Sequence, residues 1–219
     1  YFNPNTFAWD GPDADFTPRS DDLPWCMVPE KKITPEDIKY VLSSHYQGTP
    51  YDPYAATAAE KGIYRPIGVN RNDFMALLQL RPDMPEDFRA VEWLAFASNA
   101  FNTMLPLYAN VDTAPEYLAN TTGDVSTDNF YWASRLLAAK SVFHIERYTL
   151  SVGAKANHII NTCDDAQRAE TDPAARAALR EKANADLAAM AKAETTDTLN
   201  KVLFELSSGM KNAYSRSDA

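Results

Sequence analysis

The chain has 219 residues, 45% of them hydrophobic and 23% charged, with a formal net charge of -9. That length buries one core, and its acids are spread along the sequence with Lys31-Lys32 as the densest basic run, which excludes a phosphate-backbone surface and therefore nucleic acid as a partner. No apolar run approaches the roughly 20 residues of a membrane span, residues 1–10 lack a signal-peptide pattern, and Cys26 and Cys163 have no disulfide or metal spacing, so no membrane contact and a cytoplasmic location are expected.

The sequence opens at Tyr1, without an initiating Met, inside an aromatic and proline-rich passage, and reads as a processed chain or a fragment. Prolines at 4, 12, 18, 24 and 29 predict an extended segment over residues 1–32. Phe2, Phe7, Trp9, Phe16 and Trp25 are too many aromatics for a free tail, so this segment is expected to lie against apolar surface. A short helix follows, to about Ser44: Thr34 can cap it, Pro35 takes the first helical position and Asp37 the third, with Ile33 and Ile38 spaced as a staple. Gly48, Pro50 and Pro53 then impose a loop over residues 43–54.

Three apolar runs, Phe74–Leu80, Val91–Ala97 and Met104–Val111, have strand length and suit neighbouring antiparallel strands covered on both faces. From Thr127 the period becomes helical, with Phe130, Leu137, Phe143 and Ile145 in one long helix to about Cys163. A second helix starts at Asp172-Pro173 and runs through Leu179, Leu187, Met190, Leu199, Leu203 and Leu206, with a break expected near Thr195-Thr196. The two predict a helical hairpin. Residues 1–126 (extended segment, loop and strands) and 127–219 (helical section) are read as parts of one α+β domain.

No Gly-rich phosphate loop, His-Glu-x-x-His or Gly-x-Ser-x-Gly occurs. His45, His144 and His158 lack metal-ligand spacing; His144 and His158 read as ordinary helix residues, whereas His45 sits in a loop among hydroxyls and an amide, as a binding residue or as a structural turn residue. Cys26, between Trp25 and Met27, is a poor nucleophile candidate, and Cys163 reads as a small packed residue. Asn99 and Asn102 follow the second strand, where an amide can donate to a developing oxyanion or simply form a turn. Arg65, Arg71 and Arg81 flank the strands and could each clamp a carboxylate or stand on the surface.

The run from Ser43 to Tyr54, Ser-Ser-His-Tyr-Gln-Gly-Thr-Pro-Tyr-Asp-Pro-Tyr, is compositionally improbable. Together with Tyr1-Phe2-Asn3-Pro4, the run from Trp9 to Asp15, Tyr64-Arg65-Pro66-Ile67, the run from Ser98 to Asn102 and the run from Ser126 to Trp132, it resembles the lactobacillal dipeptidase A family of cysteine dipeptidases, to which secernins are distantly related. The resemblance covers essentially the whole chain. It implies a four-layer αββα N-terminal-nucleophile hydrolase fold and hydrolysis of dipeptides by an N-terminal cysteine, with no metal and no cofactor. That cysteine would head a segment of about two hundred or more residues preceding this one, so the chain is expected to be the C-terminal portion, inactive alone. Asn99 is then the candidate oxyanion or substrate contact. His45, Tyr46, Arg71 and Asn102 are candidate substrate-binding residues, and Tyr46, Tyr51 or Tyr54 could receive apolar side chains. The expected partners are a dipeptide substrate, the missing N-terminal portion and further copies in a homo-oligomer. A non-catalytic, secernin-like interaction module and an amidase or acylase acting on a non-peptide amide are the alternatives.

Overall fold

A computed structural model describes residues 1–17, 19–55, 58–140 and 145–210. Its contacts divide into two compact units, Tyr1–Leu42 and the chain from Ser43 onward.

In the first unit, residues 1–32 form neither helix nor strand among the residues described, as proline density requires. The segment is not simply extended, because it folds back on itself. Asn3 Nδ2 donates to Val28 O at 2.7 Å, Glu30 N to Phe2 O at 3.1 Å, and the Thr6 hydroxyl to the Glu30 carboxylate at 2.6 Å. Phe7, Trp9 and Phe16 pack on one another with centroids 5.1 to 5.7 Å apart, so part of the aromatic surplus is absorbed locally. Helix α1 (Pro35–Leu42) begins with the expected reciprocal cap: Asp37 N donates to Thr34 Oγ1 at 3.2 Å and Thr34 N to Asp37 Oδ2 at 3.0 Å. Lys31 at 2.8 Å, the Thr34 N–H and the Tyr1 hydroxyl hold the Asp37 carboxyl far below the usual carboxylate range.

The second unit is built on a three-stranded antiparallel sheet in the order β1 (Phe74–Leu80), β2 (Ala90–Phe96), β3 (Leu105–Tyr108). The register pairs Leu77 with Trp93 and Trp93 with Pro106, and Trp93 Nε1 donates to Gln79 Oε1 at 2.9 Å on the same face. β1 and β2 match the apolar runs of the sequence to within a residue. β3 is shorter than its run, ending at Tyr108 where Ala109 N makes the last ladder bond to Ala90 O.

After a single turn, α2 (Glu116–Ala119), come α3 (Phe130–Lys140), α4 (Ile145–Ala169) and α5 (Pro173–Ser208). Asn129 starts α3, its Oδ1 accepting from Trp132 N at 2.9 Å. The single helix expected over 127–163 is thus described as two, and residues 141–144, including Phe143 and His144, lie outside the described residues. Asp172 caps α5 by accepting from Ala174 N and Ala175 N, with Pro173 in the first turn. The break expected near Thr195-Thr196 does not occur. Thr195 is fully buried and shares a 2.8 Å hydrogen bond with the Tyr148 hydroxyl of α4, while Thr198 Oγ1 donates back to Glu194 O, so the hydroxyls are satisfied without leaving the helix.

α4 and α5 form the expected antiparallel hairpin, Tyr148 meeting Thr195 at one end and Cys163 donating to Leu179 O at the other. The core joins sheet to helices through Phe88, Leu105, Phe130, Leu137, Val152 and Leu187, all essentially inaccessible. Arg81, at the end of β1, donates to both carboxylate oxygens of Asp164 in α4 at 2.6 and 3.2 Å, and the Tyr108 hydroxyl adds a 2.7 Å bond to the same group. Burial, followed by Asp164, pushes the Tyr108 phenol well above its ordinary range. The architecture is α+β, with antiparallel strands and long C-terminal helices.

Candidate functional site

The strongest local anomaly lies where β2 ends. Ala97 has φ +66°, a conformation that costs an L-residue with a Cβ about 1 kcal/mol or more, and Ala97 N is fixed to Asp73 O at 2.9 Å. The residues that follow are polar yet buried: Ser98, Asn99, Asn102 and Thr103 are all 5% exposed or less. Burying such groups requires hydrogen-bond partners, and Asn102 supplies several of them. Its Nδ2 donates to Phe96 O and Ala97 O at 3.0 Å each and approaches Asn99 Oδ1 at 3.4 Å. Asn102 therefore ties down the strained turn and lies against the Asn99 side-chain oxygen. Ser98 Oγ and Asn102 Oδ1 are buried without a hydrogen-bond partner among the described residues.

His45 reaches this loop through Phe101. The His45 ring lies 6.0 Å from that of Phe101 and 5.2 Å from that of Tyr54, which is itself 5.0 Å from Phe101. His45 Nδ1 is 2.8 Å from Ser43 O; a carbonyl oxygen only accepts, so Nδ1 carries the proton and a neutral ring keeps its lone pair on Nε2. The Tyr54 hydroxyl donates to Gly68 O at 3.1 Å, and burial raises its pKa. Gly68 N in turn donates to Ser44 O at 2.7 Å, and a Cβ at Gly68 would stand 2.4 Å from Ser43 O. Only glycine allows this approach of the two segments.

Tyr46 faces elsewhere. With φ +61° it packs against Tyr51 and Tyr64, at 6.4 and 6.2 Å, and its hydroxyl donates to Arg65 O at 3.4 Å. Arg71 is exposed, two residues before Asp73, whose backbone oxygen accepts from Ala97 N. Arg81 finds its carboxylate inside the protein, in Asp164, and is a structural arginine rather than a substrate clamp. His158 is exposed on α4, Cys26 is exposed, and Cys163 is packed in the core, where burial raises its thiol pKa. Among the described residues no group of three His, Cys, Asp or Glu side chains is placed to hold a metal ion, and no helix is long and apolar enough to cross a membrane.

The arrangement thus brings together His45, Tyr54, Phe101 and the Asn99–Asn102 loop, and leaves Tyr46 and Arg71 outside that cluster. Phe101 was not singled out from sequence although it joins the parts; its place between two asparagines was the available signal.

The sequence pattern of peptidase family C69 matches residues 1–158. The chain belongs to that family. Among its relatives, a dipeptidase of Bifidobacterium longum is 40% identical over all of this chain and 50% of its own length. A probable dipeptidase A of Streptococcus pyogenes is 42% identical over 92% of this chain and 44% of its own length. Dipeptidase A of Lactobacillus helveticus is 44% identical over 58% of this chain. The chain spans about half the length of the first two relatives. The stretch matched to C69 includes the sheet, the His45 segment and the Asn99–Asn102 loop, and ends within α4.

Proposed function

We propose that this chain is the C-terminal portion of a cysteine-type dipeptidase whose nucleophile belongs to a part of the polypeptide outside these 219 residues. The observation that carries this reading is the identity of 40% over the full chain with a dipeptidase of which it covers only half. On this reading the fold is one side of an αββα N-terminal-nucleophile hydrolase, the sheet described here being completed by a second.

In the proposed reaction, an N-terminal cysteine passes its proton to its own α-amine and attacks the scissile carbonyl. The Asn99 side-chain amide donates to the oxygen that becomes negative. As the tetrahedral adduct collapses, its C–N bond breaks and the protonated α-amine returns the proton to the leaving amine of the second amino acid. The free α-amine then takes a proton from water, whose attack on the thioester breaks the C–S bond, releases the first amino acid and leaves the thiolate to be reprotonated. Asn102 holds the loop so that Asn99 is presented in one orientation, and its buried Oδ1 is a further acceptor for the substrate side. His45, beside Tyr54 and Phe101, is assigned to substrate contact near the Asn99 loop, while Tyr46 and the exposed Arg71, which lie outside that cluster, are assigned to the more distant side chain and carboxylate of the substrate.

The test is N-terminal sequencing and intact mass of the protein made from the complete gene, with a dipeptide hydrolysis assay. A Cys-first chain whose turnover is abolished by a thiol-alkylating reagent is expected, and the 219-residue chain alone should be inactive. Hydrolysis by this chain alone, or activity indifferent to alkylation, would discard the mechanism.

A further inference from the structure

The two edges of the sheet are treated differently. At β3, Asn184 of α5 occupies the edge: its Oδ1 accepts from Tyr108 N at 2.9 Å and its Nδ2 donates to Tyr108 O at 3.0 Å, so a side-chain amide stands where another strand would pair. At β1 nothing comparable is found among the described residues. The bonds from Ala97 N to Asp73 O and from Arg81 N to Arg89 O show that the odd-numbered residues of this strand face β2, so the backbone groups of Phe74, Ala76, Leu78 and Leu80 point to the open edge. The side chains of these same residues share one face and are exposed, Phe74 by 55%, Leu78 by 75% and Leu80 by 73%.

An edge of this kind is normally blunted by charge, proline or a bulge, and Phe-Met-Ala-Leu-Leu-Gln-Leu has none of them. Seven uncharged residues of this composition left open would template aggregation. The chain spans only about half the length of its first two relatives, which provides for an occupant in the same molecule. We infer that β1 is an internal strand of the complete protein: a strand from the part of the polypeptide outside these residues pairs with the backbone at Phe74, Ala76, Leu78 and Leu80, and apolar side chains from that part cover Phe74, Leu78 and Leu80. This rests on reading the chain as part of a longer dipeptidase, and its test does not use activity.

In the protein expressed from the complete gene, Leu78 is replaced by the photo-crosslinker p-benzoylphenylalanine, and backbone hydrogen exchange is followed in the unaltered protein. The expected results are an intramolecular cross-link, running as a monomer on a denaturing gel, to a peptide outside these 219 residues, and amide protection at Ala76 and Leu78 on the order of a hundredfold or more above an open strand. A cross-link to residues within this sequence, Tyr1–Leu42 included, overturns the inference. So does a cross-link of dimer size, which would make the occupant a second copy, and so does exchange at Ala76 and Leu78 at the rate of an open strand. Dipeptide turnover measured separately on the unaltered protein distinguishes these failures from failure of the functional reading.

Discussion

The side chain of Asn184 exchanges two hydrogen bonds with the backbone of Tyr108, closing one edge of the sheet with a residue 76 positions away in sequence. Asn184 is 2% exposed, so removing its amide leaves a buried N–H and a buried C=O without partners. Each such group costs about 1 to 3 kcal/mol, and Asn184→Ala should therefore lower unfolding stability by about 2 to 6 kcal/mol. Urea unfolding measures this, and an unchanged midpoint would mean that the edge is closed by something else.

Gly68 should not tolerate a side chain. With Ser43 O only 2.4 Å from the position of a Cβ, Gly68→Ala forces the His45 segment to move, at about 1 to 3 kcal/mol. Thermal unfolding together with the imidazole NMR signals of His45 would report both effects. A variant with unaltered melting and His45 signals would show that the two segments are not packed this closely.

Asn99 and Asn102 should separate in their effects on the enzyme made from the complete gene. Asn99→Ala removes the proposed oxyanion donor and is expected to lower kcat/KM by about 10²- to 10³-fold, measured where the variant is fully folded. Asn102→Ala, by freeing Phe96 O and Ala97 O, should depress the melting temperature as well. Steady-state kinetics paired with calorimetry decides the matter; full activity in Asn99→Ala would remove Asn99 from the mechanism.

Acid should loosen the α4–α5 hairpin and the anchor of the Asp112–Thr113 segment. Lys155, then Ser151, lowers the pKa of Glu194, and Thr113, then the Asp112 N–H, lowers that of Glu181. Because both folded values lie below the unfolded value of about 4.3, the unfolded chain binds more protons across the interval between them. The stabilisation is complete above that unfolded value and is lost as pH falls through the folded values. Urea midpoints at pH 7, 5 and 3 should fall toward acid, less steeply in Glu194→Gln. A variant whose decline matches the unaltered protein would exclude Glu194 as a contributor.

Much of the second unit could be read locally. Phe74–Leu80 is a strand because seven uncharged, mostly large apolar residues admit little else between polar flanks, and α5 starts at Pro173 because Asp172 caps it. What failed was decided by distant partners. Thr195 suggested a break because its β-branched hydroxyl disfavours helix, and its hydrogen bond with Tyr148 on α4 offsets that preference. Arg81 looked available until Asp164, 83 residues on, took it. At the site, the run from Ser98 to Asn102 stood out for its amides, but its approach to His45 depends on Phe101, marked in sequence only by its place between two asparagines.

Closing the β3 edge with a residue of α5 imposes an order on biosynthesis. Tyr108 leaves the ribosome 76 residues before Asn184 and, at about 5 to 20 residues per second, waits roughly 4 to 15 seconds for it. Through that interval the β3 margin of the newly made sheet is unsealed, and the nascent chain depends on chaperones that bind exposed apolar segments.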